Sequence, residues 1–141
     1  MSGVWGPNQF FTPKVTNTIT FADTAAASPV LFTVTGDVIV RLIAVCTTSL
    51  TSAAAANVEV GIAGNTNAII ATTVASTIIA REIWHDAAAD SEIEAYSTIR
   101  EYIITDGNDI LFTLSAQVDL GTVAFYLDYA PLSADGAVVA A

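Results

Sequence analysis

The residues of this chain that could do chemistry gather in one acidic stretch around its single histidine, His85. Five carboxylates lie within this short span: Glu82, Asp86, Asp90, Glu92 and Glu94. Oxygen ligands clustered on a loop are what calcium selects. The spacing matches no calcium-loop pattern, however, and alanines fill positions 87–89, where further oxygens would be needed. The stretch is therefore predicted to be a solvated acidic tip and no metal site is assigned to it, with calcium binding as the alternative.

No set of residues in the sequence predicts catalysis. One histidine cannot supply a two-histidine metal triad. A Ser-His-Asp triad through His85 would need a positioned serine, and the chain has no Gly-x-Ser-x-Gly elbow. Gly36, Gly61 and Gly64 match no phosphate-binding loop, and nothing places two carboxylates in a groove as glycoside hydrolysis requires. We therefore expect His85 to be an exposed loop histidine, and the chain to be no enzyme and to need no cofactor.

The composition points away from nucleic acid and membranes. The net charge is −10, from 14 acidic and four basic residues, and such a surface repels phosphate and anionic lipid. Only 13% of the residues are charged, and the chain contains 25 alanines and 18 threonines. Mean hydropathy is +0.60. A neutral exterior of this kind predicts that other chains cover part of it.

Three further features limit the class of protein. The single cysteine, Cys46, excludes an internal disulfide and is expected to be a small buried hydrophobe. The N-terminus lacks a basic region followed by an apolar run, so no secretion signal is expected. Residues 61–80 carry no charge, but glycines, asparagines and threonines interrupt them. This favours two strands and a turn over a membrane span.

Hydrophobic patterning predicts strands throughout. Val15 to Phe21 alternates apolar residues with threonines, as a half-buried strand does. Val38 to Thr47 is the longest apolar run and is interpreted as a central strand buried on both faces. Asp109 to Leu132 reads as two strands joined by a polar turn, a core hairpin. For Ala95 to Thr105 both a helix and a strand fit, and we favour a strand from Ile99.

About eight or nine short strands predict an all-β fold. The expected architecture is a single-domain antiparallel β-sandwich with jelly-roll-like topology; an immunoglobulin-like or barrel arrangement is the alternative. Val38–Thr47 and Ile110–Ser115 are expected to be its inner strands. The predicted organisation is an extended N-terminal arm (1–14), the sandwich (15–132) and a small-residue C-terminal tail (133–141).

Large aromatic residues mark candidate contact surfaces. The N-terminal arm is rich in aromatic residues, whereas disordered tails usually contain few of them. These either pack on the domain's own core edge or anchor in a neighbouring subunit. Trp84 and Tyr126 could pack in the core or at an interface, or form a glycan-binding platform with Tyr96. The interface candidates are Trp5, Phe10, Phe11, Trp84 and Tyr126.

Three segments resemble, in character, the capsid decoration (cement) proteins of tailed bacteriophages. They are the arm SGVWGPNQFFTP, the strand-rich body VLFTVTGDVIVRLIAVCTTSLTSA, and the predicted closing hairpin with its PLSADGAVVAA tail. The resemblance implies a virion protein that forms a symmetric oligomer, often a trimer, on the capsid exterior and reinforces junctions of the major capsid protein.

A trimer would carry three times −10, a charge of −30. We therefore expect its seam to use neutral Thr/Ala strands, with His85–Glu94 pointing away. The alternative function is a glycan- or ligand-binding β-sandwich, such as a receptor-binding tip.

Overall fold

A computed structural model describes residues 11–141. Ten strands and two short 3-10 turns, Ala75–Thr77 and Tyr96–Thr98, make up its regular structure, and no helix in this range has the length and hydropathy needed to cross a bilayer. The strands are β1 (Val15–Thr24), β2 (Val30–Thr35), β3 (Val38–Thr51), β4 (Asn57–Ile62), β5 (Asn65–Val74), β6 (Ile83–Trp84), β7 (Tyr102–Ile104), β8 (Ile110–Leu114), β9 (Val118–Pro131) and β10 (Ala137–Ala140).

The strands form two antiparallel sheets. The first has the order β1-β9-β3-β6, with β7 also pairing with β3, and the second has the order β10-β2-β8-β4-β5. Most consecutive strands lie in different sheets, which is the strand order of a jelly roll. The predicted β-sandwich is confirmed. Its strand count is higher than expected because β6 and β10 are short additional strands.

Large aromatic rings fill the space between the sheets. Phe21, Phe32, Trp84, Phe112 and Phe125 are at most 2% exposed. The Trp84 ring lies 5.9 Å from that of Phe112 and 6.3 Å from that of Phe125, both edge-on. Its indole Nε1 donates to Thr73 Oγ1 at 2.8 Å, so the polar atom of this side chain is satisfied inside the core.

The predicted hairpin of Asp109–Leu132 is wrong. Its two strands, β8 and β9, belong to different sheets: β8 pairs with β2 and β4, while β9 pairs with β1 and β3. Residues 115–117 carry the chain across the sandwich. Alternation identifies which face of a strand is buried but not which strand lies beside it. The pattern is therefore the same for two strands paired in one sheet and for two strands in opposite sheets.

The longest apolar run is central, as predicted, but is not buried on both faces. The inward residues of β3, such as Val38, Val40 and Ala44, are 0% exposed. The outward residues Ile39 and Ile43 are only half-buried. The second apolar face of β3 therefore lies on the outside of the sandwich.

Other differences are local. The predicted C-terminal tail contains β10, in which Val138 pairs with Val34. The strand predicted at Val38–Thr47 is longer than expected, because β3 continues to Thr51. In Ala95–Thr105 the favoured strand is confirmed in part, as β7 (Tyr102–Ile104), and the helix alternative is wrong, since only a 3-10 turn at Tyr96–Thr98 precedes that strand.

Cys46 is fully buried on the inner side of β3, as expected. Burial raises the pKa of its thiol from 9.0 to about 11, although a backbone hydrogen bond with Thr48 acts in the opposite direction. We expect the native thiol to react with iodoacetamide at pH 8 at least about 100-fold more slowly than the urea-unfolded chain, because the thiolate is the nucleophile. Mass spectrometry of timed samples measures this. Equal rates in the two states would contradict it.

Candidate functional site

The outer face of the first sheet is one candidate contact surface. We define it by the outward residues of β1, β9 and β3: Thr16, Thr18, Thr20, Thr122, Ala124, Tyr126, Asp128, Ala130, Ile39, Arg41, Ile43 and Val45. Strand register sets them in rows. Ile43 lies opposite Tyr126, which in turn lies opposite Thr16. The face is a product of the two-residue period: the intervening residues of each strand point into the core.

This outer face is neutral and partly apolar. Ala124 is 9% exposed and Ala130 is 5% exposed. Ile43 and Tyr126 are half-buried. The outer face of the second sheet is more polar: there the Glu59 carboxylate accepts hydrogen bonds from Thr66, at 2.6 Å, and from Thr72. A solvated sheet face normally alternates to polar residues, so the first sheet has the unusual outer face.

One buried charge lies on the outer face. Asp128 is 1% exposed and sits opposite Arg41 in the ladder. Lys14 Nζ is 3.7 Å from its Oδ1, and the backbone N–H of Thr12 donates to its Oδ2 at 3.2 Å. A buried carboxylate is costly unless it is paired and hydrogen-bonded. The chain at Thr12–Lys14 is thereby held against β9.

Arg41 connects the outer face to the segment around Tyr96. Its guanidinium lies 3.4 Å from Glu101 Oε1, donates to the Tyr96 hydroxyl and lies 5.3 Å from the centre of that ring. Phe11 packs edge-on against Tyr96, with ring centroids 6.3 Å apart. Phe11 therefore docks on its own chain.

The aromatic interface candidates differ in burial and in their position in the fold. Tyr126 is half-buried on the outer face and stays available as a contact residue. The interpretation of Trp84 as an interface residue is wrong, because it is 0% exposed in the core. For the same reason Trp84 cannot form an exposed glycan platform with Tyr96 and Tyr126. Trp5 and Phe10 lie outside the described residues.

A second feature is a polar cleft of about 580 Å³ at the open edge between the sheets. It arises where the edge of the first sheet is interrupted. β6 pairs with Ala44 and Val45, and β7 pairs with residues 38–40, so no strand within residues 11–141 lies beside Leu42 on this side. The cleft is lined by Leu42, Asn67, Ala68, Ile69, Ala71, His85, Asp86, Glu94, Ser97, Thr98, Ile99, Arg100 and Tyr102.

His85 lies in the wall of this cleft, and the prediction of an exposed loop histidine is wrong. Its side chain is only 10% exposed. The ring Nδ1 is 3.9 Å from Asp86 Oδ2, and Nε2 is 3.6 Å from Glu94 Oε1. The sequence shows that acids flank the histidine, but it carries no signal that the loop folds back to place Glu94 on the far side of the ring.

The acidic stretch does not converge on one point. Glu92 pairs with Arg81 at 3.2 Å, and the Glu82 carboxylate accepts from the Ile79 backbone N–H at 3.3 Å. Asp86 and Glu94 face the histidine instead. Among the residues that the structure describes, no three histidine, cysteine or acidic side chains come together as metal ligands.

Comparisons of this chain with protein-family models, with curated protein sequences and with solved structures found no match. The features that can indicate a function are therefore the outer face, the cleft and the resemblance to decoration proteins.

Proposed function

We propose that this chain is a non-enzymatic virion structural protein that forms a homotrimer on the outside of a bacteriophage capsid. There it would bind the major capsid protein at junctions between its subunits and stabilise the lattice. The observation that supports a binding role is the neutral, partly apolar outer face of the first sheet. The capsid setting rests on the resemblance to decoration proteins.

The distribution of charged residues favours the outer face as the contact between copies of this chain. Two chains of charge −10 repel each other wherever their acids approach. The outer face carries one acid, Asp128, and that carboxylate lies against Lys14 and opposite Arg41. By contrast, the loop from His85 to Glu94 holds four carboxylates. A seam on the outer face brings copies together with little charge repulsion.

The chemistry of the outer face also suits association. Interface centres are depleted of charged residues and enriched in tyrosine. Tyr126 stands near the middle of the face, on β9 between the threonines of β1 and the isoleucine and valine residues of β3. A symmetric trimer would then present three copies of each capsid-binding surface, and multivalent attachment raises avidity without new contacts.

The oligomer is tested with a pair of charge variants. Wild type is expected to have a mass of about 44 kDa, three times 14.6 kDa, by light scattering. Thr18→Glu places an acid on the outer face and is expected to give monomers, since three like charges would meet at the seam. Thr33→Glu adds the same charge to an exposed position of the second sheet and should leave the mass unchanged. A monomeric wild type, or equal effects of the two variants, would contradict this seam.

The capsid setting is tested separately by co-sedimentation with tailed-phage capsid shells that lack their decoration protein. Wild type and Thr33→Glu are expected to pellet with the shells and to saturate at a fixed ratio to the capsid subunits. Protein that stays in the supernatant would count against the capsid role, whatever the oligomer result.

A further inference from the structure

We propose that the cleft around His85 binds a neutral polyhydroxy ligand, such as a mono- or oligosaccharide. This goes beyond the assembly role and does not depend on it. The cleft is built from β5, the segment before β7 and the inner side of β3, whereas the proposed seam uses outward residues of β1, β9 and β3. Sugar binding at the cleft can therefore be disproved without affecting the proposed assembly through the outer face, and the reverse also holds.

The cleft has the size and lining of a small-molecule site. Its volume of about 580 Å³ lies within the range of roughly 300–1,000 Å³ typical of such sites. Leu42, Ile69, Ile99 and the ring of Tyr102 supply apolar surface. Polar side chains surround it: Asn67, His85, Asp86, Glu94, Ser97, Thr98 and Arg100. A sugar ring has the same mixture, with C–H faces and hydroxyl edges.

His85 has hydrogen-bonding capacity that the nearby carboxylates do not fill. Its side chain is nine-tenths buried, and its nitrogens lie 3.6 and 3.9 Å from Glu94 and Asp86 oxygens. Both distances exceed hydrogen-bond range. A hydroxyl can accept a hydrogen bond from a ring N–H and donate one to a carboxylate at the same time. A neutral imidazole has one ring N–H, so one ligand hydroxyl suits one His85–carboxylate pair in this way, and a second hydroxyl can donate to the other ring nitrogen.

The charges of the cleft favour a neutral ligand. Asp86 and Glu94 would repel an anion, and Arg100 would repel a cation. A ligand without net charge avoids both kinds of repulsion. It can still accept a hydrogen bond from Arg100 and donate hydrogen bonds to the two carboxylates. Hydroxyl groups provide both functions, so a polyol or saccharide fits better than a phosphate, a carboxylate or an amine.

The test is saturation-transfer NMR on the full chain with glucose, galactose, mannose, N-acetylglucosamine and lactose as probes. At least one sugar is expected to give a signal. Glu94→Gln should weaken its binding about tenfold, because a hydrogen bond to a charged acceptor becomes one to a neutral amide. Glu92→Gln is the matched control: it lies on the same loop but outside the cleft, and binding should not change.

Ser97→Trp provides a second variant, since Ser97 is exposed and lines the cleft. Its indole is expected to fill the cleft and abolish the sugar signal while the circular dichroism spectrum stays native. The proposal is overturned if no sugar gives a signal at 10 mM (about the weakest affinity worth calling a site). It is also overturned if Glu94→Gln or Ser97→Trp binds like wild type, or if acetate or methylammonium binds better than every sugar.

Discussion

Replacing Trp84 with alanine is expected to lower the free energy of unfolding by about 4 kcal/mol. The side chain is 0% exposed and touches the rings of both Phe112 and Phe125. Truncation leaves a cavity between the two sheets and removes the donor to Thr73 Oγ1. Because small domains are stable by only about 5–15 kcal/mol, this is a large share of the total.

Urea denaturation followed by circular dichroism measures the Trp84→Ala effect. Ile103→Ala is a suitable control because it also truncates a large apolar side chain, but one that is 70% exposed on β7. The Ile103→Ala variant is expected to lose less than about 1 kcal/mol of unfolding free energy. Similar losses in the two variants would mean that Trp84 is not the centre of the core.

Replacing Gly121 with alanine is expected to cost about 3 kcal/mol, for two reasons that add. Gly121 has φ +130°, which L-residues rarely adopt. A Cβ atom there would also lie 2.8 Å from the Leu50 Cα, a backbone atom that cannot swing away. The close approach occurs where the register of β3 against β9 shifts, between Thr48 and Thr51, so β9 needs a glycine at this point.

Gly64→Ala is the matched control for Gly121→Ala. Gly64 lies in the turn between β4 and β5, its φ is not positive, and a Cβ there would meet nothing within 4 Å. Its substitution is expected to be neutral or stabilising by roughly 0.5 kcal/mol. Thermal and urea unfolding of both variants give the comparison. A Gly121→Ala protein as stable as Gly64→Ala would show that the β3–β9 contact relaxes freely.

The sequence predicts the strands well wherever one face is buried, because burial imposes a two-residue period. The alternation of Val15–Phe21 corresponds to β1, and the turn expected within residues 61–80 joins β4 to β5. The sandwich follows from the number of such strands. Inner positions for Val38–Thr47 and Ile110–Ser115 are also confirmed, since β3 and β8 each lie between two other strands.

The candidate sites were harder to predict because they depend on contacts distant in sequence. Trp84 gives the same alternating pattern whether its face meets the other sheet or a partner chain. His85 lies in a cleft only because β6 ends at Trp84 and the loop returns to place Glu94 beside the ring. The outer face could be predicted only in part: the run of β3, apolar except for Arg41, indicated two apolar faces, and the structure shows which one lies outside.

The order of strands in the first sheet also determines when this protein can fold. β3 has its longest ladder with β9, and β1 pairs with β9 along nearly its whole length. During synthesis, β1 and β3 leave the ribosome long before their common partner, a delay on the order of several seconds at ordinary translation rates. Sheet formation must therefore wait for nearly the complete chain, and folding is expected to be slow, on the order of milliseconds to seconds. Until then the apolar β3 strand is exposed, so a nascent or truncated chain would be a natural client for chaperones.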